Sequence, residues 1–328
     1  MITGNPGNFN SMNNKRRLLL KGMAAATAAI PFSRAFPSTI SATSGKKFPI
    51  AIFTKPLDSF ELEFMAETLA MSGIDGFDLS VRPKGRVEPA RVTEELPKAI
   101  EMGKKYNLST PMMVTAITDS QDIHTERVLK CAASLGIKHY RLGYYDYDIK
   151  KGISESLVEI KKKIELLAKL NKTIGIQGGY QNHSGTKVGA PLWDVSVLLQ
   201  NIPVELMSSQ FDVRHAVTEG ASSWILAMQL LRNNIGSLAI KDFTWDVSNH
   251  KAKVVSVPLG EGIVDFDLFF KSVKEMNLVV PLTLHVEYPL LNKEEENFSL
   301  LQKQKIIVTK IKKDVEFIRT KLVQFQLV

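Results

Sequence analysis

The chain has 328 residues, of which 44% are hydrophobic and 23% charged, and its formal net charge is +8. Residues 1–35 contain five of the basic residues and no acid, and removing them leaves 37 basic against 34 acidic residues, a net charge of +3. This modest charge argues against a nucleic-acid-binding protein. The single cysteine, Cys131, excludes an internal disulfide and a cysteine-rich zinc site.

The first 35 residues have the pattern of an export signal. Residues 15–21, Lys-Arg-Arg-Leu-Leu-Leu-Lys, resemble the twin-arginine motif, and they precede the apolar run 23–30 and a small-x-small cleavage site at 33–35. That run is shorter than the roughly 20 apolar residues of a membrane-spanning helix. We therefore expect a periplasmic or otherwise exported protein without stable membrane insertion, and a linker at 36–47. A disordered basic tail is the alternative.

From Phe48 onward, short apolar runs alternate with amphipathic stretches. The predicted strands are Pro49–Thr54, Gly76–Val81, Pro111–Ile117, His139–Leu142, Thr173–Gln177, Leu206–Phe211, Ser237–Ile240 and Pro281–Val286. The predicted helices are Ser59–Met71, Glu88–Tyr106, Ile123–Leu135, Ser154–Leu170, Leu192–Gln200, Ser222–Arg232, Asp267–Met276 and Lys293–Leu322.

Alternation of buried-type strands with helices of period 3.6 indicates a parallel sheet. Eight strand–helix units favour a closed barrel over an open doubly wound sheet. We therefore predict an α/β fold, a single (β/α)8 TIM barrel over residues 48–328, with an extra long C-terminal helix. The apolar residues of that helix leave open whether it packs on the barrel or against a partner chain in a homo-oligomer.

Polar side chains follow most of the predicted strands. Because chemistry in such barrels lies at the carboxyl ends of the strands, these side chains are candidates for one active site. The strongest pattern is Gln-Asn-His at 181–183, Asp-x-x-His at 212–215, Lys241-Asp242 and Glu287. The candidate residues are Lys55, Arg82, Tyr144, Gln181, His183, Asp212, His215, Lys241, Trp245, His285 and Glu287.

Each residue type suggests a role. Asp212 at a strand end suits a divalent ion that His215 orients, and Glu287 suits a metal ligand or a general base. A strand-end lysine such as Lys241 polarises a carbonyl or stabilises an enolate. Arg82, Lys55, Tyr144, His285 and Trp245 are candidates for substrate binding, the tryptophan by stacking on a sugar face.

These interpretations have purely structural alternatives. They are a hydrogen-bonded loop histidine for His183, a helix cap with a surface histidine for Asp212 and His215, a salt bridge for Glu287, an ion pair for Lys241 with Asp242, and an exposed arginine for Arg82.

The pattern at 181–183, 212–215 and 241–242 resembles the sugar phosphate isomerase/epimerase superfamily, the xylose isomerase-like barrels. Gly-Glu-Gly-x-x-Asp-Phe at 260–266 and Glu287 extend the resemblance over roughly residues 48–290. It implies a TIM barrel that acts on a small-molecule carbohydrate, with a divalent ion, Mn, Co, Mg or Zn, held at four strand ends.

Two of those four positions depart from the family pattern. Asp212 and Glu287 match the second and fourth positions, but Gln181 stands at the first, where the family has a carboxylate. The family's His-x-Lys-Asp is here Ala-Ile-Lys-Asp at 239–242, so the third position lacks its histidine. An amide cannot replace a carboxylate as a base. His183, His215 or His285 could compensate for the missing ligand.

The favoured function is a sugar isomerase or epimerase that works by proton abstraction next to a carbonyl through an enediolate. Glu287 would take the proton, an ion on Asp212, Glu287 and Gln181, helped by His215, would stabilise the enediolate, and Lys241 or His183 would return the proton. The alternatives are a keto-sugar glycoside lyase or hydrolase with the same enolate chemistry, and a non-catalytic sugar-binding protein. An endonuclease is the least favoured, since that branch needs more metal ligands.

Overall fold

The structure is a computed structural model that describes residues 48–248 and 250–328. Within these residues, eight parallel strands close into a barrel in which each strand pairs with its two neighbours. The predicted TIM barrel is therefore confirmed. The export signal at 1–35 and the linker at 36–47 lie outside the described residues and stay predictions.

The strands and helices follow one another along the chain. The barrel strands are β1 (Ile50–Phe53), β2 (Gly76–Val81), β3 (Ser109–Thr115), β4 (His139–Arg141), β5 (Gln177–Gln181), β6 (Met207–Asp212), β7 (Ile235–Ile240) and β10 (Leu282–Leu284), and β8 (Asp242–Ser248) with β9 (Lys251–Val257) forms a separate hairpin. The helices are α1 (Leu62–Met71), α2 (Val92–Lys105), α3 (Thr125–Ser134), α4 (Ile153–Ile174), α5 (Leu192–Leu199), α6 (Val213–Gly220), α7 (Trp224–Leu231), α8 (Phe266–Glu275) and α9 (Leu300–Gln324).

The barrel strands are buried on both faces, as expected when helices cover a parallel sheet. Every residue of β2, β6 and β7 is buried. Apolar side chains from these strands and from the surrounding helices form one continuous core. The carboxyl ends of the strands consequently meet on one face of the barrel, where the candidate side chains lie.

The predicted fifth strand was misplaced. Thr173 and Ile174 have strand-type side chains, but they continue helix α4, which ends at Gly175 with a left-handed backbone (φ 81°). Strand β5 begins at Gln177 and contains Gly178, where an added Cβ would come within 2.8 Å of Met207 Sδ. Gly178 and Gly179 have low strand propensity, so this strand could not be recognised from propensity.

The β8–β9 hairpin was not predicted. It pairs seven residues on each side in antiparallel register between β7 and the last barrel strand. The Asp242 carboxylate ties it to the barrel by accepting the backbone N–H groups of Phe243 (2.8 Å), Gly260 (3.0 Å), Gly262 (2.9 Å) and Val264 (3.2 Å). Asp242 thus fixes the loop, and Lys241 pairs with Asp212 and Glu287, so the alternative of a Lys241–Asp242 ion pair is not supported.

The long final helix packs on the barrel. It starts at Leu300, seven residues later than predicted, because Ser299 and Gln302 form a capping box there. Ile307, Ile311 and Ile318 are fully buried, and α9 contacts α1 and α8. No described helix is long and apolar enough to cross a membrane.

A buried carboxylate links α9 to the rim of the barrel. Asp314 Oδ2 accepts the hydroxyl of Tyr288 at 2.7 Å, and its Oδ1 accepts the N–H of Leu259 at 2.9 Å. Burial raises the pKa of Asp314 to about 6, although both hydrogen bonds oppose that shift. Tyr288 follows Glu287, so this contact holds the segment that carries a candidate catalytic residue.

The stability of the protein should therefore depend on the ionisation of Asp314. A carboxyl pKa raised to about 6 from 3.8 means that the folded state binds the proton more tightly, so stability is lost as the pH rises from 4 through 6. The loss should be on the order of 2–3 kcal/mol. The Asp314→Asn variant should not show it, as thermal unfolding at pH 4 to 7 would reveal. Asp122→Asn, at an exposed loop position, is the control, and a parallel pH profile for wild type and Asp314→Asn would contradict the assignment.

Candidate functional site

An open cleft of about 880 Å³ lies at the carboxyl face of the barrel. Its volume falls in the range of roughly 300–1,000 Å³ that is usual for small-molecule sites. The predicted residues His183, Glu287 and Lys55 line it together with Phe53, and an apolar wall that includes Leu290, Leu291 and Ile307 extends it outward. The cleft therefore combines ionisable groups with an apolar surface.

Asp212, the last residue of β6, is anchored through its backbone by the side chain of Asn182. The Asn182 side chain accepts the N–H of Asp212 at 2.8 Å and donates to its carbonyl at 3.0 Å. Asp212 Oδ1 accepts the N–H of His215 at 3.0 Å and so caps α6. The helix cap considered for this pair is real, but His215 is buried and not a surface residue. Asp212 is thereby fixed with Oδ2 free to face the centre of the site.

Lys241 occupies that centre. Its Nζ lies 3.0 Å from Asp212 Oδ2, 2.9 Å from Glu287 Oε1 and 2.9 Å from His215 Nε2. Burial disfavours the charged amine, but the two carboxylates outweigh burial and raise the pKa of Lys241 above its usual value. The side chain is therefore a buried ammonium ion that bridges the ends of β6, β7 and β10.

Glu287 is held by two cations. Besides Lys241, Arg214 Nη2 contacts Glu287 Oε2 at 2.8 Å. Burial would raise the pKa of Glu287, but Lys241 and Arg214 outweigh it and hold the pKa well below its usual value. Glu287 is thus ionised and partly open to the cleft. Arg214 was missed as a site residue, although it stands inside the Asp-x-x-His pattern at 212–215.

Gln181 turns its amide donor toward the site centre. Its Nε2 donates to Asp212 Oδ2 at 2.7 Å, while its Oε1 accepts from Arg141 Nη1 at 2.8 Å and from the Tyr144 hydroxyl at 2.5 Å. Burial raises the pKa of Tyr144, which keeps the hydroxyl protonated. Arg141, the last residue of β4, therefore fixes which end of the amide faces Asp212.

Two histidine rings lie next to each other beside this network, tilted by 36°. The rings of His183 and His215 lie 4.1 Å apart, and Tyr144 meets His183 edge-on at 4.9 Å. His215 Nδ1 lies 2.8 Å from Ser184 Oγ. Burial lowers the pKa of both rings, and for His215 the nearby cations Lys241 and Arg214 lower it further. Both histidines are accordingly neutral near pH 7.

His285 and Arg82 lie to the side of the network. His285 is buried against Phe53, with ring centroids 5.0 Å apart, and its Nε2 is 3.5 Å from Asp78 Oδ2. Burial lowers its pKa. Arg82 lies over the same Phe53 ring at 5.6 Å. The Phe53 ring therefore gives the cleft a flat apolar surface, with His285 and Arg82 next to it.

Two predicted substrate-binding residues lie farther out. Lys55 is exposed at the edge of the cleft. Trp245 is 40% exposed on the β8–β9 hairpin, and its ring packs edge-on against Phe243 at 5.4 Å. Only Ser256 of that hairpin lines the described cleft, so the structure does not bring Trp245 into it.

The residues at the four expected metal positions do not fit a divalent ion. Gln181 faces the centre with an N–H donor, Ala239 offers no ligand, and the ammonium group of Lys241 already bridges Asp212 and Glu287. Within the described residues, no three His, Cys, Asp or Glu side chains are grouped as metal ligands. The predicted metal roles of Gln181, Asp212 and Glu287 gain no support from this donor set.

Comparison with known proteins identifies relatives of this barrel. The sequence profile of the family described as xylose isomerase-like TIM barrel matches residues 66–304. No curated protein matches the chain significantly.

Three similar solved structures share the fold at low sequence identity. A xylose isomerase domain protein from Planctomyces limnophilus has a TM-score of 0.62 at 14% identity, over 86% of this chain and 99% of that one. D-Allulose 3-epimerase from Methylomonas sp. gives 0.61 at 16%, over 85% and 99%. 3-Keto-D-glucoside 4-epimerase from E. coli gives 0.60 at 12%, over 83% and 99%.

Asn182 should contribute to stability through its contacts with Asp212. In Asn182→Ala, the buried N–H and C=O of Asp212 lose their partners, and the free energy of unfolding should fall by about 2–5 kcal/mol. Chemical denaturation measures this loss. The exposed Asn297→Ala is the control and should change stability by less than about 0.5 kcal/mol. Equal effects at the two positions would refute the anchoring role.

Proposed function

We propose that this chain, which belongs to the xylose isomerase-like TIM barrel family, is a sugar isomerase or epimerase. It would take a proton from the carbon next to a carbonyl and pass through an enediolate. The observation that carries this proposal is the placement of Glu287 and His183 in one cleft, with Lys241 and Arg214 bound to the Glu287 carboxylate. Enolisation needs these two kinds of group together, a proton acceptor and a cation for the developing oxyanion.

His183 is prepared to accept a proton. Its Nδ1 lies 2.8 Å from the Ser184 carbonyl, which can only accept, so Nδ1 carries the ring proton. The Nε2 lone pair of the neutral ring is then available. Burial lowers the pKa of His183 below its ordinary value of 6.5, so the ring is neutral near pH 7 and its Nε2 can accept a proton.

Glu287 is a weaker base in the substrate-free protein, because Lys241 and Arg214 stabilise its negative charge. A substrate oxygen that draws either cation toward itself would weaken that stabilisation and make Glu287 more basic. The same movement would place a cation on the oxygen that becomes negative in the enediolate. Binding of the carbonyl and activation of the base are thus coupled through shared cations. His183 and Glu287 can then exchange protons with the substrate carbon.

A keto-sugar glycoside lyase is the second candidate. The apolar wall at Leu290, Leu291 and Ile307 extends the cleft beyond the ionisable groups and leaves space for a glycosidic substituent. The same enolate could expel that substituent from the neighbouring carbon. The substrate class, carbohydrate in either case, and an exported location of the enzyme belong to this proposal.

Glu287→Gln should lower solvent exchange of substrate C–H bonds by about 10²–10⁴-fold, because a carboxamide cannot accept a proton. The full chain would be incubated in D₂O with free aldoses, ketoses and 3-keto-glycosides, and loss of the C–H signal would be followed by proton NMR. This readout detects enolisation before the product is known, and a released aglycone would identify the lyase.

Glu101→Gln is the control, since Glu101 is exposed on α2 and does not line the cleft. It should exchange at the wild-type rate. Wild-type exchange in Glu287→Gln would remove Glu287 from the chemistry. Absence of exchange in the wild type on all three substrate classes, with saturable sugar binding, would favour the sugar-binding protein.

A further inference from the structure

We propose that the ammonium group of Lys241 is a permanent cation in the place where the family resemblance implies a divalent metal ion, so that this enzyme works without one. The catalytic consequence rests on the proposed enolisation. The cation-binding part does not, because metal binding can be measured without activity.

Three atoms of metal-ligand type converge on Lys241 Nζ. They are Asp212 Oδ2 at 3.0 Å, Glu287 Oε1 at 2.9 Å and His215 Nε2 at 2.9 Å. Two carboxylates and an imidazole are ligand types that Zn²⁺ binds at about 2.0–2.2 Å, although around the ammonium group they do not form a metal site as they stand. Here the set surrounds a nitrogen at hydrogen-bond distance. The ammonium group occupies the point to which the donors are directed.

The charges at this point already balance. Asp212 and Glu287 supply two negative charges, and Lys241 and Arg214 supply two positive ones within 3.0 Å of them. A divalent ion would add two positive charges to a neutral, largely buried group. It would meet the repulsion of both cations and would have to displace the Lys241 ammonium first.

The two remaining positions are also adapted to an ammonium group. Gln181 directs an N–H at Asp212, and its carbonyl oxygen is held away from the centre by Arg141 and Tyr144. Ala239 is fully buried on the strand that leads to Lys241 and bears no ligand atom. A carboxylate and a histidine at these positions would add donors, whereas the residues present add none.

The same geometry predicts that removal of the lysine side chain creates a metal site. In Lys241→Ala the two carboxylates and His215 lose their cation but keep their anchors, Asn182 for Asp212 and Arg214 for Glu287. Mn²⁺ can then take the vacated position. The uncompensated carboxylates destabilise this variant, so Mn²⁺ should also raise its unfolding temperature, because a ligand that binds only the folded state stabilises it.

The test uses the full chain, freed of metals by chelation and then titrated with Mn²⁺ alone. Binding is measured by calorimetry and by elemental mass spectrometry after gel filtration, and unfolding temperature is measured in parallel. Wild type should retain no stoichiometric Mn²⁺. The dissociation constant of Mn²⁺ should be at least about 100-fold lower for Lys241→Ala than for wild type. Lys241→Arg, which keeps a cation, should resemble wild type. Asp212→Asn/Lys241→Ala should lose the new site.

Each outcome bears on the proposal. Stoichiometric Mn²⁺ in the wild type that Asp212→Asn abolishes would overturn it, and so would a folded Lys241→Ala that binds no Mn²⁺. If Lys241→Ala folds only in the presence of Mn²⁺, the proposal is supported. Solvent exchange that persists in the chelated wild type supports the catalytic part, whereas exchange that appears only with added Mn²⁺ overturns it. A wild type with neither exchange nor Mn²⁺ binding would defeat the enolisation proposal alone.

Discussion

The buried ammonium group of Lys241 is the contact on which the rest of this site depends. It joins the ends of three barrel strands through Asp212, Glu287 and His215. Burying charges is costly, and a buried ion pair adds little net stability compared with well-packed apolar residues. Every charged member must therefore be fully paired for the arrangement to persist. The site gains a single defined geometry from this requirement, because displacement of any member leaves a buried charge without a partner.

These ion pairs form only if the backbone at each strand end is held in a fixed position. Side chains of the loops at the carboxyl ends of the strands hold it there. Asn182 ties the end of β5 to the backbone of Asp212 on β6. Asp242 gathers four backbone N–H groups of the segment around the hairpin, where an added Cβ at Gly262 would collide with the same carboxylate. Asp314 then fixes the segment after Glu287. Carboxylates and amides bonded to backbone thus position the residues that face the cleft.

The barrel could be predicted from sequence because its strands and helices differ strongly in hydrophobic period. The prediction of the fifth strand failed, since Gly178 and Gly179 give β5 a low intrinsic strand propensity. Strand-end positions correctly placed Asp212, Lys241 and Glu287 together. Arg214 was missed because its partner is 73 residues away, and nothing in a single sequence pairs them. The sequence did contain one indication that Arg214 belongs to the site. It stands next to His215, two residues after the end of β6.

An ammonium ion and a divalent metal ion would favour different chemistry at the same point. The metal carries more charge and can bind two substrate oxygens at once, whereas an ammonium group offers directional N–H bonds, which Asp212 and Glu287 already use. A substrate oxygen must therefore compete with a carboxylate for Lys241 or Arg214. That competition is unfavourable for a neutral hydroxyl and improves as the oxygen gains negative charge. Under the proposed enolisation, the network would therefore favour the enediolate over the ground-state sugar, which is the differential binding that lowers a reaction barrier.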